Sequence, residues 1–88
     1  MIVYEILKFC KKGRKKGEIQ TQLGISGEYF RLIIPELVGE GLLCMVSLPR
    51  GVYVYLTTAE GIIWIQNFEY INRPLKNILR EEREIILL

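Results

Sequence analysis

The 88-residue sequence predicts a small α+β domain. Apolar residues recur at helical spacing on both sides of a tight turn at residues 24–26. Two alternating, β-rich runs follow, over residues 43–47 and 52–57. A stripe of apolar residues in steps of three and four then extends from residue 61. These observations predict one compact unit in which residues 1–58 form a helical domain with a hairpin and residues 59–88 form a terminal dimerisation helix.

The first two helices are short. Helix 1 is predicted over residues 2–12, from a stripe of apolar side chains, and Gly13 ends it. Helix 2 is predicted from residue 14 or 15 to residue 23. Ile19 and Leu23 are four residues apart in it and therefore share one face.

Helix 3 is predicted over about residues 26–40. Gly24 suits the turn before it, and Ser26 is a good N-cap because its hydroxyl can accept a free backbone N–H. Pro35 lies in mid-helix, where it removes a hydrogen bond and costs roughly 3 kcal/mol, so a kink is expected. The buried stripe is expected to contain Phe30, Ile33, Ile34, Leu37 and Val38.

The hairpin and the last helix complete the prediction. Pro49 and Gly51 supply the hairpin turn. In the second strand, the even-numbered residues of 52–57 share one face and the odd-numbered residues share the other. Residues 57–60, Thr-Thr-Ala-Glu, fit a capping box that begins the last helix. Pro74 allows either one kinked helix or two.

Half of the residues are hydrophobic, which is more than a domain of this size buries alone. We therefore expect a homodimer that forms along the terminal helix. No apolar run approaches the roughly 20 residues of a membrane span, and no basic segment precedes an apolar one at the start, so a cytoplasmic protein associated with the nucleoid is expected. The predicted dimer residues are Trp64, Phe68, Ile71, Leu75, Ile78 and Ile85.

The charge is unevenly distributed. Residues 1–50 carry eight Lys or Arg against five Glu, whereas residues 51–88 carry four against five, so an anionic partner is favoured for the first part. The sequence has no His, no Asp and no paired-Cys motif, which argues against an enzyme and predicts no metal or cofactor site. Cys10 and Cys44 are expected to be buried thiols, with a disulfide as the alternative.

The order of these elements is the layout of a winged helix-turn-helix. Residues 16–61 resemble the winged-helix families of archaeal and bacterial transcriptional regulators. The chain is most similar to small archaeal members that dimerise through a C-terminal coiled coil, and more distantly to the PadR and MarR groups. The segments that carry the resemblance are Leu23-Gly24-Ile25-Ser26, Glu-Leu-Val-Gly-Glu-Gly-Leu-Leu over 36–43 and Tyr-Leu-Thr-Thr-Ala-Glu-Gly over 55–61.

The resemblance implies a transcriptional regulator that binds double-stranded DNA as a homodimer. Helix 3 of each copy would enter successive major grooves, roughly 34 Å apart, and the wing at residues 47–51 would meet the backbone or the minor groove. Whether a small-molecule effector binds stays open. The candidate DNA-binding residues are Lys12, Arg14, Lys15 and Lys16 before and in helix 2, Ser26, Gly27, Tyr29 and Arg31 in helix 3, and Arg50 in the wing.

Two alternatives come from other classes of protein. The first is an architectural chromatin-type protein with little sequence preference. The second is a winged helix that binds another protein through an apolar patch containing Leu32, Tyr53 and Tyr55. The candidate residues also have explanations that involve no ligand. The basic residues before helix 2 would then form a solvated loop, and Arg31 would form an ion pair with Glu28.

Overall fold

The computed structural model describes residues 1–72, and that part of the chain is α+β, as predicted. A 3₁₀ turn at Cys10–Lys12 follows the first helix, and a second one at Pro49–Gly51 joins the two strands. The order of the elements is compatible with a winged helix. The elements are α1 (Ile2–Phe9), α2 (Lys16–Leu23), α3 (Gly27–Gly39), β1 (Leu43–Leu48), β2 (Val52–Thr57) and α4 (Ala59–Ile71).

The turn between α2 and α3 has the predicted chemistry. Gly24 ends α2 with a φ of +63°, a left-handed conformation that glycine adopts without strain. Ser26 caps α3, since its Oγ accepts the N–H of Tyr29 at 3.1 Å. The helix continues as one element across Pro35, which lies on its exposed side.

The core receives a side chain from every helix and from the start of the hairpin. Of the stripe predicted on α3, Phe30, Ile34 and Leu37 are buried. Val38 is 39% exposed, so its predicted burial is wrong. Neighbouring positions on a helix point about 100° apart, and in the last turn of α3 only Leu37 faces the core. The buried apolar residues are Ile6, Leu7, Cys10, Ile19, Phe30, Ile34, Leu37, Leu43 and Ile65.

The hairpin pairs one to one from Leu43 opposite Thr57 to Leu48 opposite Val52. On its other side, β2 is bridged by Arg14, whose backbone N–H donates to the Tyr55 carbonyl at 2.9 Å. The Tyr55 N–H returns a bond to the Arg14 carbonyl at 2.7 Å. This bridge keeps residue 14 extended, so α2 begins at Lys16 rather than at residue 14 or 15.

The base of the hairpin is joined tightly to α4. Thr58 caps this helix, because its Oγ1 accepts the N–H of Gly61 at 3.0 Å. Thr57, which the capping-box prediction used, instead ends β2 and donates its hydroxyl to the Leu7 carbonyl. A Cβ at Gly61 would lie 2.3 Å from the Leu42 carbonyl oxygen, so glycine alone permits this approach.

Both cysteines are free thiols, so the disulfide alternative is not realised. Cys10 is buried as predicted, and burial raises the pKa of its thiol to about 11. Cys44 is only partly buried on β1. None of the helices within residues 1–72 has the length and hydrophobicity needed to cross a bilayer.

Candidate nucleic-acid interface

The basic cluster lies between α1 and α2. Five of the six positions from 11 to 16 are Lys or Arg. All four lysines are exposed: Lys11 and Lys12 in the 3₁₀ turn, Lys15 just before α2 and Lys16 at its first position. Their ammonium groups therefore meet solvent and are available to an anion.

Arg14 differs from the lysines around it because the chain holds its guanidinium. Its Nε donates to the Phe9 carbonyl at 3.1 Å, and its guanidinium lies 4.4 Å from the centre of the Phe9 ring. A terminal nitrogen is also 4.0 Å from a carboxylate oxygen of Glu18. With its backbone bridged to Tyr55, Arg14 primarily fastens the loop to α1 and β2.

The start of α2 already has an anion of its own. The Glu18 carboxylate accepts the backbone N–H of Lys15 at 2.9 Å, so it occupies part of the positive end of the helix dipole. A phosphate at this position would have to displace it. The lysine side chains, rather than the backbone at the start of α2, are therefore the groups that can hold phosphate here.

Lys16 connects the basic cluster to α3. Its Nζ lies 5.4 Å from the centre of the Phe30 ring, within the range of a cation–π contact. The ring itself is buried, and the Tyr55 ring packs on it in a T-shaped arrangement with the two ring centres 5.5 Å apart. The ammonium of Lys16 is thereby kept beside the first two turns of α3.

The start of α3 contains four of the candidate DNA-binding residues. Ser26 is committed to capping, and Tyr29 and Arg31 are exposed. Gly27 is half-buried. A Cβ at this position would lie 3.5 Å from Nε2 of Gln20 and 3.6 Å from a terminal nitrogen of Arg31. The alternative Arg31–Glu28 ion pair is not formed. Tyr29 and Arg31 are thus the two side chains of this group that can reach a ligand.

Arg50 lies at the tip of the hairpin, as predicted, and is exposed. Its φ of +67° is unusual for a residue that is not glycine. It is also the only charged side chain between Leu43 and Thr57. The hairpin can therefore offer a polyanion one cation.

The basic cluster also lines a groove between α1 and the end of α2. This open groove has a volume of about 550 Å³, with Phe9 and Leu23 among its apolar side chains. Lys8 at this groove also lies 5.3 Å from the Tyr4 ring centre, and hydrogen bonding with Tyr4 raises the pKa of Lys8. The cations that line the groove are Lys8, Lys11, Lys12 and Arg14.

The predicted dimer residues fall into three groups. Trp64 and Phe68 are half-buried and stacked on each other, and Phe68 stacks on Tyr4 of α1 with the ring centres 4.7 Å apart. These two side chains already serve the packing of a single copy. Ile71 is 73% exposed and remains available to a partner. Leu75, Ile78 and Ile85, and the predicted kink at Pro74, lie outside the described residues.

Sequence reasoning missed the exposed side chain of Ile63 on α4, because it is out of phase with the heptad stripe. It also missed the structural role of Arg14, which depends on a distant partner strand. In the comparison with known proteins, no family model, no curated protein and no solved structure matches the chain. What it binds is therefore inferred from its own surface chemistry.

Proposed function

We propose that the chain is a winged-helix protein that binds double-stranded DNA, as a regulator of transcription that contacts the phosphate backbone more than the bases. The exposed lysines of the basic cluster support this proposal, because ammonium groups neutralise phosphates without reading sequence. Such a protein would act beside the chromosome in the cytoplasm. Double-stranded DNA is the partner, and no catalytic step is involved.

The observation that carries the proposal is the position of Lys16 over Phe30. Because of this contact, the basic cluster and the exposed start of α3 belong to one surface. If α3 entered a major groove, Tyr29 and Arg31 would face bases or flanking phosphates, while Lys15 and Lys16 would lie on the adjoining backbone. Arg50 would add a contact from the hairpin tip.

The charge on α3 explains why backbone contacts should dominate. This helix carries Glu28 and Glu36 against the single cation Arg31. Few side chains on it can therefore donate hydrogen bonds to base edges. We propose a homodimer, since two copies would double the number of phosphate contacts.

The proposal is tested by removing two exposed lysines. The variant Lys15→Ala/Lys16→Ala should bind random and selected duplexes more weakly by a similar factor. The slope of log K against log salt should become shallower by about 2 per protomer. Fluorescence anisotropy at several salt concentrations measures both quantities.

A charge-matched control removes one lysine outside the basic cluster. The variant Lys8→Ala has the same net charge as the single variant Lys16→Ala, but Lys8 lies on α1, at the groove between α1 and α2. It should lose clearly less affinity. Equal losses in the two variants would contradict a defined interface, and no binding of duplex by the native protein at about 50 mM salt would end the proposal.

A second candidate function is favoured by the exposed apolar side chains. Leu32 on α3 is 71% exposed, and Tyr53 on the hairpin is also exposed. Tyr55, the third residue of the predicted patch, is instead packed on Phe30. A protein partner would be indicated by two results together. The native protein would bind no duplex at any salt concentration, and it would capture another protein in a way that depends on Leu32. Steep salt dependence without sequence preference would indicate the architectural alternative.

A further inference from the structure

Strand β1 lies at an open edge of the sheet. β2 is paired on both sides, by β1 and by the bridge to Arg14, whereas β1 is paired only with β2 among the residues that the structure describes. An open edge presents backbone N–H and C=O groups that a further strand can pair. The chemistry of β1 therefore decides what this edge does.

The direction of the free backbone groups follows from the bridge. Tyr55 exchanges both of its backbone hydrogen bonds with Arg14, so its N–H and C=O point away from β1. The pair Met45–Tyr55 is consequently a non-hydrogen-bonded pair of the hairpin, and Met45 directs its own N–H and C=O to the open edge. Ser47, two residues further, does the same.

Nothing in β1 blocks pairing at this edge. The strand, Leu-Cys-Met-Val-Ser-Leu, contains no charged residue and no proline, and its one-to-one register with β2 leaves no bulge. Met45 is 55% exposed and Ser47 is exposed, while Leu43 is buried at the other end. The accessible part of the edge is therefore centred on Val46.

We propose that β1 pairs antiparallel with β1 of a second copy, around a twofold axis at Val46. In this register Met45 lies opposite the partner's Ser47, and Ser47 lies opposite the partner's Met45. Each of these pairs exchanges both of its backbone hydrogen bonds. Val46 then forms the central non-hydrogen-bonded pair with the partner's Val46.

The side chains explain why a second copy fits this edge. Antiparallel pairing around Val46 brings Cys44 beside the partner's Leu48, and it brings no like charges together because the strand has none. It also covers Met45 and Leu48, two of the large apolar side chains that a single copy exposes. A register centred on Met45 would instead require pairing at Leu43, which is only 1% exposed.

Disulfide trapping tests both the interface and its register. Val46→Cys in a Cys44→Ser background places two thiols in a non-hydrogen-bonded pair, with Cα atoms about 4.5 Å apart, within disulfide range. Mild oxidation should convert most of the protein to a covalent dimer. The native Cys10 does not interfere, because its thiol is buried.

Single-cysteine controls define the register. Met45→Cys or Ser47→Cys, each in the same background, should not cross-link alone, since identical residues would be offset by two positions, about 7 Å along the strands. An equal mixture of these two variants should cross-link. Cross-linking of Met45→Cys alone would overturn the register, and Val46→Cys no more efficient than Ser47→Cys would overturn the interface.

Met45→Pro gives an independent test in solution. It removes an N–H that points to the open edge and no bond to β2, so the hairpin keeps its ladder. The dimer should dissociate with a constant at least about tenfold higher by analytical ultracentrifugation. An unchanged constant would overturn the proposal. The DNA-binding experiment depends on other residues, so the two proposals fail separately.

Discussion

Between residues 11 and 39 the chain carries six basic and three acidic side chains, whereas the hairpin from Leu43 to Thr57 carries one charge, Arg50. The helices satisfy their backbone internally, so what they offer a partner is side-chain charge. The hairpin keeps little charge, and at its open edge it offers backbone hydrogen bonds instead. One small domain thus presents two surfaces with different chemistry, one suited to a polyanion and the other to a strand.

The base of the hairpin packs against the start of α4, and the largest effect is expected there. Gly61→Ala should lower the free energy of unfolding by about 3 kcal/mol, because the new methyl group would overlap the Leu42 carbonyl and the Thr57 side chain. Urea denaturation followed by circular dichroism measures it.

A glycine of α2 provides the control for this prediction. Gly17 has open space where a Cβ would be, and its φ is not positive. Gly17→Ala should therefore stabilise the protein, by up to about 1 kcal/mol. If Gly61→Ala were as stable as the native chain, the close approach of the hairpin base to α4 would be wrong.

The next effect concerns the single buried polar side chain of the hairpin. Thr57 is buried and donates its hydroxyl to the carbonyl of Leu7 on α1. Thr57→Val keeps the shape and the β propensity but removes this hydrogen bond, which should cost about 1–2 kcal/mol. The measurement is again the free energy of unfolding.

Thr21→Val on α2 is the control for this prediction, because it makes the same substitution at an exposed helical position. Thr21 is exposed on α2, so its replacement should change stability by less than about 0.5 kcal/mol. Similar losses in both variants would mean that the Thr57 hydroxyl does not tie the hairpin to α1.

The elements of the described part were largely predictable from the sequence, because local patterns determine them. Alternation predicted β2, and Ser26 marked the start of α3. The N-cap of α4 was misplaced by one residue, since Thr57 and Thr58 both suit a cap and only the distant Leu7 carbonyl decides between them. Long-range contacts of this kind leave no periodicity in the sequence.

The candidate site was less predictable for the same reason. Six positions of nearly uniform charge gave no sign that Arg14 would be held by Phe9 and Tyr55 while its neighbours stayed exposed. Likewise, the Lys15 N–H is bonded to Glu18, which a count of charges does not reveal. The dimer seam on the terminal helix stays a prediction.

The distinction between Arg14 and its neighbours leads to a smaller effect. Arg14→Lys loses the bond from Nε to the Phe9 carbonyl and the stacking on its ring, so stability should fall by about 1 kcal/mol while duplex affinity stays nearly constant. Lys16→Gln should do the reverse, with weaker duplex binding and a stability change within about 0.5 kcal/mol. Denaturation and anisotropy on both variants measure the contrast, and a large loss of duplex affinity in Arg14→Lys would contradict it.

The smallest effect is expected at Arg50, the one charged side chain of the hairpin. Its positive φ costs roughly 1 kcal/mol for a residue with a Cβ, and glycine would remove this strain at some cost in chain entropy. Arg50→Gly should therefore stabilise the hairpin by about 0.5 kcal/mol, whereas Gly51→Ala, next to it and also at positive φ, should destabilise by about 1 kcal/mol.

The same variant shows whether the hairpin shares in the electrostatic surface. If Arg50 contacts DNA, Arg50→Gly should raise stability and lower duplex affinity together, with a salt slope shallower by about 1 per protomer. If affinity does not change, contact with the polyanion is confined to the helices. Arg50 would then be a strained residue without a role in binding DNA, and the hairpin would interact only through its edge.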